Sequence, residues 1–381
     1  MLVLIYKNNL DHLLMKKISI YIKGNRQSTA YYRIYQYFDN MNEYVRIYHT
    51  MMSDSFHDRY MPISRQPIYI KVAAYVHIYI RMFMALLSDC IRKPDYIVIH
   101  KRVISRFMPK VFNMMLRYVH RHGVKIMWDF DDHIVANHEV TQRQFDIYSE
   151  LAHIITVTHD YLCDLVKKEY RHKVVILPTT DGDMYSLFRD KDINSSRLQK
   201  LSEEVSLVWV GTSVNLDYLK GIVGILDKTA LDMKAKDGRK LSLRVVCDKP
   251  LEVKTKTLEI VNIKWSRSGA IAAMRDSQIG IMPLVDDVFT KGKGGFKLVQ
   301  YISIGLPCIG SNVGFNSKVI TSDCGVLVSS VDDWEDAVFN VSDKQRWLEY
   351  SNNAFRHWNE QFSYERNLAT WRGLLEIYSG E

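Results

Sequence analysis

Residues 289–314 read F-T-K-G-K-G-G-F-K-L-V-Q-Y-I-S-I-G-L-P-C-I-G-S-N-V-G. A loop in which lysine and glycine alternate, Lys291 to Gly295, runs into a short segment with apolar residues at Phe296, Val299, Tyr301 and Ile302. Gly305 and Pro307 stop that segment, and Cys308-Ile309-Gly310 reads as a short buried strand. The pattern predicts a glycine loop feeding a helix N-terminus, where unpaired backbone N–H groups and the positive end of the helix dipole face outward. Gly294 and Gly295 admit a close approach, while Lys293 and Lys297 add full charges. Lys297 and Gln300 are three apart and share one helix face. An anion site beside a neutral hydrogen-bonding group would suit a nucleoside diphosphate. A flexible basic loop before a core helix would produce the same spacing, and spacing alone leaves both readings open.

The run G-x-G-G-F-K-L-V-Q-Y-I-S-I-G-L-P-C-I resembles the donor-binding signature of the retaining glycosyltransferases of GT-B fold, family 4 type. It is closest to the polysaccharide-biosynthesis branch that reads G-K-x-G-x-K-x-x-x-Y-M-A-x-G-x-P. The resemblance is specific over the second half of the chain and looser over the first. It implies an α/β fold of two Rossmann-like parallel-sheet domains facing across a cleft, with a C-terminal helix crossing back. It also implies a nucleotide-sugar substrate, with no cofactor and no required metal. Donor contacts would come from Gly211 and Thr212 in W-V-G-T-S, and from Lys293, Gly294, Gly295, Phe296 and Gln300. Lys297 would act on the leaving diphosphate. Lys220, followed by Gly221, is similar to the basic residue early in the family's donor domain, at a longer spacing from Gly211. In the wider family two Glu residues flank the glycine turn. Here Gly292 and Gln300 occupy those places, and Gln can hydrogen-bond a hydroxyl but brings no charge.

With 381 residues, 47% hydrophobic and 25% charged, the chain can bury substantial cores and predicts two domains. Its eight prolines and 18 glycines, without low-complexity tracts, argue against long disorder. The five cysteines lack C-x-x-C spacing and read as reduced core thiols of a cytoplasmic protein. A net charge of +8 suits phosphate-bearing substrates or an anionic membrane surface; no nucleic-acid motif accompanies it. The first residues lack the features of a signal peptide, and Met15-Lys16-Lys17 is a natural start for the following strand. Residues 1–14 therefore read as an extension.

Strands alternate with helices along the chain. Predicted strands are Ile18–Ile22, Asp95–Ile99, Gly123–Trp128, His153–Val157 and Lys173–Leu177, then Val205–Val210, Leu243–Cys247, Ile260–Ile263, Ile279–Met282 and Cys308–Ile309. Near-continuous apolar strands in β-α alternation imply parallel sheets, with ligands at the carboxyl ends of the strands. The expected organisation is an acceptor-side domain at 1–185, a polar linker at 186–204 and a nucleotide-sugar domain at 205–342. Helices at 343–381 would return to the first domain. After strand one comes Gly24, then a helix near Tyr31-Tyr32-Arg33 that Ser28 or Thr29 would cap. In the resembled family Gly24 and Arg33 would sit on the acceptor side. Residues 66–92 are the most apolar stretch. Lys71, His77 and Arg81 argue against a spanning helix, which needs about 20 mostly apolar residues. An amphipathic helix on a membrane surface and a buried core helix both fit.

Asp129-Phe130-Asp131-Asp132 is the dense carboxylate group at a strand end. As D-x-D it could hold a divalent metal against a diphosphate. As a run of apolar residues before D-x-D it is similar to haloacid-dehalogenase phosphatases, with Asp129 or Asp131 as nucleophile. It could equally be a helix cap and surface turn. The resemblance favours an acceptor-side role, with Asp129, Asp131 and Asp132 near the reacting hydroxyl and His133 beside them; His138 and His159 read as ordinary surface histidines. The sequence thus points to a retaining transferase that moves a sugar onto a glycan or lipid-linked acceptor in cell-surface polysaccharide assembly. It would work in the cytoplasm, peripherally on the inner face of the membrane. The alternatives are a non-catalytic nucleotide-sugar-binding partner subunit and the phosphatase.

Overall fold

The computed structural model describes residues 15–24, 29–60, 63–188 and 192–376. Residues 1–14 and 25–28, with the expected cap Ser28 among them, lie outside the described residues. The chain divides into two compact units. Unit 1 comprises the residues up to Pro178 together with those from Leu368 onward, and unit 2 is Thr179–Asn367.

Unit 1 carries a six-stranded parallel sheet in the order β2-β1-β3-β4-β5-β6. Its strands are β1 Lys16–Ile22, β2 Tyr44–Thr50, β3 Tyr96–His100, β4 Lys125–Phe130, β5 Ile154–Val157 and β6 Val174–Ile176. Strand β4 shows why the sequence folds this way. Successive side chains of a strand point to opposite faces. Ile126, Trp128 and Phe130 enter the core beneath helices 68–92, 110–121 and 142–151, while Met127 and Asp129 lie on the other face, also fully buried. Helix Ile68–Arg92 puts Ala74, Ile78, Met82, Ala85 and Leu86 into that core. Its opposite face leaves Ile68, Tyr69, Val72, Tyr75, Val76 and Ile80 more than half exposed. The helix is long and apolar enough to cross a membrane, and it packs one face against unit 1.

Unit 2 carries a second six-stranded parallel sheet, β12-β11-β10-β7-β8-β9. Here β7 is Glu204–Val210, β8 Lys240–Cys247, β9 Glu259–Lys264, β10 Ile279–Met282, β11 Cys308–Ser311 and β12 Gly325–Val328. The same alternation operates: Val205, Leu207 and Trp209 face one core, Val208 and Val210 the other. Two of the buried indoles find acceptors, Trp347 at the Gln278 carbonyl (2.7 Å) and Trp358 at Thr180 Oγ1 (3.1 Å).

The division falls at Pro178, earlier than the expected 185. Much of the expected linker is built into unit 2, where the Asn194–Lys200 helix buries Arg197 against the carbonyls of Met274, Arg275 and Ile304. The last helix, Tyr364–Glu376, begins in unit 2 and continues into unit 1. There Trp371 packs on Phe38 and the Tyr96 hydroxyl donates to the Leu375 carbonyl. All five cysteines are free thiols, three of them buried.

Candidate functional site

In unit 2 the loop after β10 closes with a short helix, Val288–Lys291, held by a capping box between Asp287 and Thr290. Gly292 to Gly295 then lead into helix Phe296–Ser303. Gly295 occupies the N-cap in a left-handed conformation, φ 58°, and a Cβ there would lie 3.0 Å from the Phe315 ring. Only glycine meets both conditions without strain. Glycine brings no side chain to cap the helix, and no side-chain N-cap hydrogen bond forms there.

Two lysines flank that terminus. Lys293 Nζ donates to Asn215 Oδ1 (2.7 Å) and lies 4.4 Å from the Phe289 ring centroid. The contact joins the lysine–glycine loop to the turn after β7. In that turn a Cβ on Gly211 would come within 2.4 Å of the Trp209 indole, so the backbone passes close to the ring. Thr212 is extended, and Ser213 donates from both N–H and hydroxyl to Asp248 (2.7 and 2.8 Å). The expected donor residues Gly211, Thr212, Lys293, Gly294, Gly295 and Phe296 therefore belong to two adjoining loops of one unit. Lys220 stands apart. It is exposed on helix Leu216–Asp237, paired with Asp217 (3.1 Å), and it lines a separate groove with Ser213 and Lys249.

Lys297, half-buried, donates to Gln300 Oε1 (2.8 Å). Gln300 Nε2 in turn donates to Asp181 Oδ2 (2.7 Å), and Arg267 pairs with Asp181 at 3.0 Å. Burial pulls Lys297 down to about 8; Asp181 draws it back up and Arg267 pushes it further down. The expectation that Gln300 contacts a ribose or sugar hydroxyl is corrected here. Both ends of its amide are engaged inside unit 2 and its side chain is buried, so it links Lys297 to Asp181. Asp181 and Arg267 carry no local motif, and nothing in the sequence marks Asp181 as the partner of a helix residue 119 positions away.

The acidic cluster of unit 1 is also corrected. Asp129 is fully buried and accepts from Arg33, from His100 Nδ1 (2.8 Å) and from Thr156 Oγ1 (2.6 Å). A carboxylate accepts only, so the His100 Nδ1 must carry the proton of that bond. Burial would raise the Asp129 carboxyl, but Arg33 and His100 outweigh it and hold the group well below its ordinary value. A side chain so enclosed cannot attack a phosphate ester or reach a sugar hydroxyl, which removes the nucleophile role. Arg33, expected on the acceptor side, is buried too. It sits in a π turn, Tyr31–Tyr35, and donates to Asp129 and to the Leu177 carbonyl.

Asp131 is buried against Lys101 Nζ (2.7 Å), with Asp132 (3.5 Å) and Glu139 (3.6 Å) further out. Burial opposes the Lys101 charge, but the three carboxylates outweigh it and raise the group. Asp132 is the member of the cluster that reaches solvent. With Asp129 and Asp131 neutralised by protein cations, the D-x-D pair is not open to a metal, and among the described residues no group of three His, Cys, Asp or Glu side chains is arranged to hold one. His133 is half-buried and its Nδ1 accepts from the Ala136 N–H (3.3 Å). His159 is buried, not on the surface, and His138 is exposed. Gly24 lines a cavity of unit 1 together with Lys23, His100, Lys101 and His138. His100 and Lys101 were not singled out by sequence; the signal available was their place at the carboxyl end of β3.

No family model matches the chain, and no curated protein matches it. Solved structures do. Anabaena Alr3699/HepE in complex with UDP aligns at a TM-score of 0.62 and 11% identity, over 95% of this chain and all (100%) of that one. Sucrose-phosphate synthase (tll1590) from Thermosynechococcus elongatus aligns at 0.61 and 13% identity, covering 96% and 100%. A glycosyltransferase from Rickettsia africae ESF-5 aligns at 0.58 and 11% identity, covering 96% and 98%. At such identities the likeness speaks for architecture, and together with two six-stranded parallel sheets and a returning last helix it establishes the chain as a two-unit α/β protein of the GT-B fold.

Proposed function

We propose that the chain is a retaining glycosyltransferase that moves a sugar from a nucleotide-sugar donor to a glycan or lipid-linked acceptor in cell-surface polysaccharide assembly. The observation that carries this reading is the glycine-capped helix Phe296–Ser303, with Lys293 and Lys297 at its positive end and the 211–215 turn tied to it through Asn215. Such an arrangement binds a diphosphate and stabilises the charge that grows on it as the glycosidic bond breaks. The UDP and UDP-glucose complexes of the Anabaena structure make uridine nucleotides the first donors to try. Unit 1 takes the acceptor. A thermal-shift series against UDP-, GDP- and ADP-sugars is the direct test: a ligand that binds only the folded chain raises Tm, and no shift with any of them would sink the reading.

A non-catalytic donor-binding subunit is the second reading. It is favoured by Gln300, which brings no charge and whose amide is engaged internally. Donor turnover by the isolated chain excludes it.

Metal is dispensable in this mechanism, because lysines and a helix dipole neutralise the leaving diphosphate. Chelation with EDTA is expected to leave turnover nearly intact. Loss of activity restored by manganese would overturn that part.

The pH dependence follows from Lys297. Its ammonium loses its proton near pH 8 in the free protein, and only the charged form pairs with a diphosphate. The kcat/KM for donor, which reports the free enzyme, should therefore fall as pH rises through about 8. Lys297→Arg keeps its charge over that range, so the falling limb should vanish in that variant. A limb unchanged in the arginine variant would assign it to another group.

A further inference from the structure

A cavity of about 600 Å³ lies within unit 1, at the carboxyl ends of β1 and β3. Its lining divides by chemistry. Met51, Met52, Ile63, Ala74, Tyr75 and Ile78 are apolar. Lys23, Lys101, Arg102 and Arg106 are cations, and no aspartate or glutamate is among the lining residues. Lys23 and Lys101 already face Glu139 and Asp131, so their charge is largely spent. The two arginines are different. Arg106 is exposed and forms no ion pair among the described residues. Arg102 donates to the Glu139 carbonyl through one terminal nitrogen, while its Nε is buried with no acceptor among the described residues.

The backbone adds an independent mark. Lys101 (φ 63°) and His138 (φ 55°) both line this cavity and both hold left-handed conformations that side-chain-bearing residues seldom adopt. Strain of this kind collects at ligand clamps. Beyond the cavity the apolar wall continues outward. Tyr75 is 54% exposed, and Ile68, Val72, Val76 and Ile80 extend the same helix surface into solvent. That helix carries Lys71 and Arg81 and has no acidic residue before Asp89.

We propose that this cavity receives the phosphate headgroup of a membrane lipid through Arg102 and Arg106, with the lipid chain lying along the exposed face of helix Ile68–Arg92. Arg106 has no carboxylate partner among the described residues, and a guanidinium fork so placed selects a phosphate over a neutral sugar, which needs acceptors as well as donors. The apolar wall would be wasted on a free phosphate ion, and an exposed aliphatic and aromatic strip flanked by cations fits an anionic bilayer surface. The inference rests on the reading of unit 1 as the acceptor side, and makes that acceptor a lipid phosphate.

Flotation of the full chain tests it with three vesicle types: phosphatidylcholine alone, phosphatidylcholine with a minor fraction of phosphatidic acid, and phosphatidylcholine with the charge-matched amount of oleate. Phosphatidic acid should be preferred over oleate by about 10-fold or more, the size of a charge-assisted contact. Arg106→Ala should remove most of that preference, and Tyr75→Ser should weaken binding to every vesicle type. Both residues are exposed, so both variants should keep the parent Tm. Equal binding to phosphatidic acid and oleate, unaffected by Arg106→Ala, would overturn the headgroup site. Inorganic phosphate competing at the same concentration as phosphatidic acid would overturn the lipid part. The thermal shift with UDP is read in the same preparations. Its absence, with phosphate-selective binding intact, would count against the donor reading and leave this one standing.

Discussion

Lys297→Ala is expected to lower kcat/KM for donor turnover by about 10² to 10³, with part of the loss in kcat. The lysine follows the N-cap glycine by two positions and is held by Gln300 Oε1 at 2.8 Å. Its ammonium is desolvated before any ligand arrives, which is why it titrates near 8. A partly dehydrated cation gains more from an incoming diphosphate than a fully hydrated one, because less water must be displaced. The leaving group acquires charge as the sugar departs, so the contact strengthens in the transition state and the loss should show in kcat as well as KM. Lys297→Arg should rescue only partly, since a planar fork does not reproduce a compact ammonium beside Gln300. Gln300→Ala should have a smaller effect in the same direction: it frees Lys297 from its anchor without removing the charge. Measurements at saturating donor, alongside Tm, decide the matter. A solvated lysine would leave turnover within a few-fold of the parent and stability within about 0.5 kcal/mol.

The helix start at Phe296 was legible because two glycines and two lysines stand at its mouth and Gly305 and Pro307 close its far end; these are local signals. The central strands were legible for a similar reason. A parallel strand covered on both faces must be apolar at nearly every position, as in V-S-L-V-W-V at 205–210. Two of the four edge strands escaped. Tyr44–Thr50 is only partly buried and reads as mixed polar and aromatic, while Gly325–Val328 is four residues long. Partner identity escaped as well. Gln300 looked like a ligand-facing amide because its carboxylate partner, Asp181, lies 119 residues away. Asp129 looked like a reactive carboxylate at a strand end for the same reason: the groups that neutralise it, His100 and Arg33, are 29 and 96 residues away. Pattern identifies which residues are chemically unusual. It does not say whether their partner is the protein or a ligand.

Asp129 should accordingly behave as a folding residue, and Asp129→Ala is expected to cost about 3–5 kcal/mol of unfolding free energy. Removing the carboxylate takes from the Arg33 guanidinium, 1% exposed, its ion-pair partner in the interior of unit 1. It also strands the His100 Nδ1 proton and the Thr156 hydroxyl, each of which loses a short bond. Asp129→Asn keeps the shape and some of the bonds but not the charge, so it should fall between alanine and the parent. Acid should act in the same way. The folded-state carboxyl is held below its unfolded value, so its contribution is fully present above about pH 4 and is lost as pH falls toward the folded value. The gap between the urea midpoints of parent and variant should therefore be smaller at pH 3 than at pH 7, because at pH 3 the unfolded chain takes up the proton while the folded carboxyl still keeps its charge. Pairing the change with Arg33→Met separates loss of the ion pair from loss of packing. If the charge is the cause, the double variant is more stable than Asp129→Ala alone; if the two losses simply add, Asp129 contributes by its fit and not by its charge.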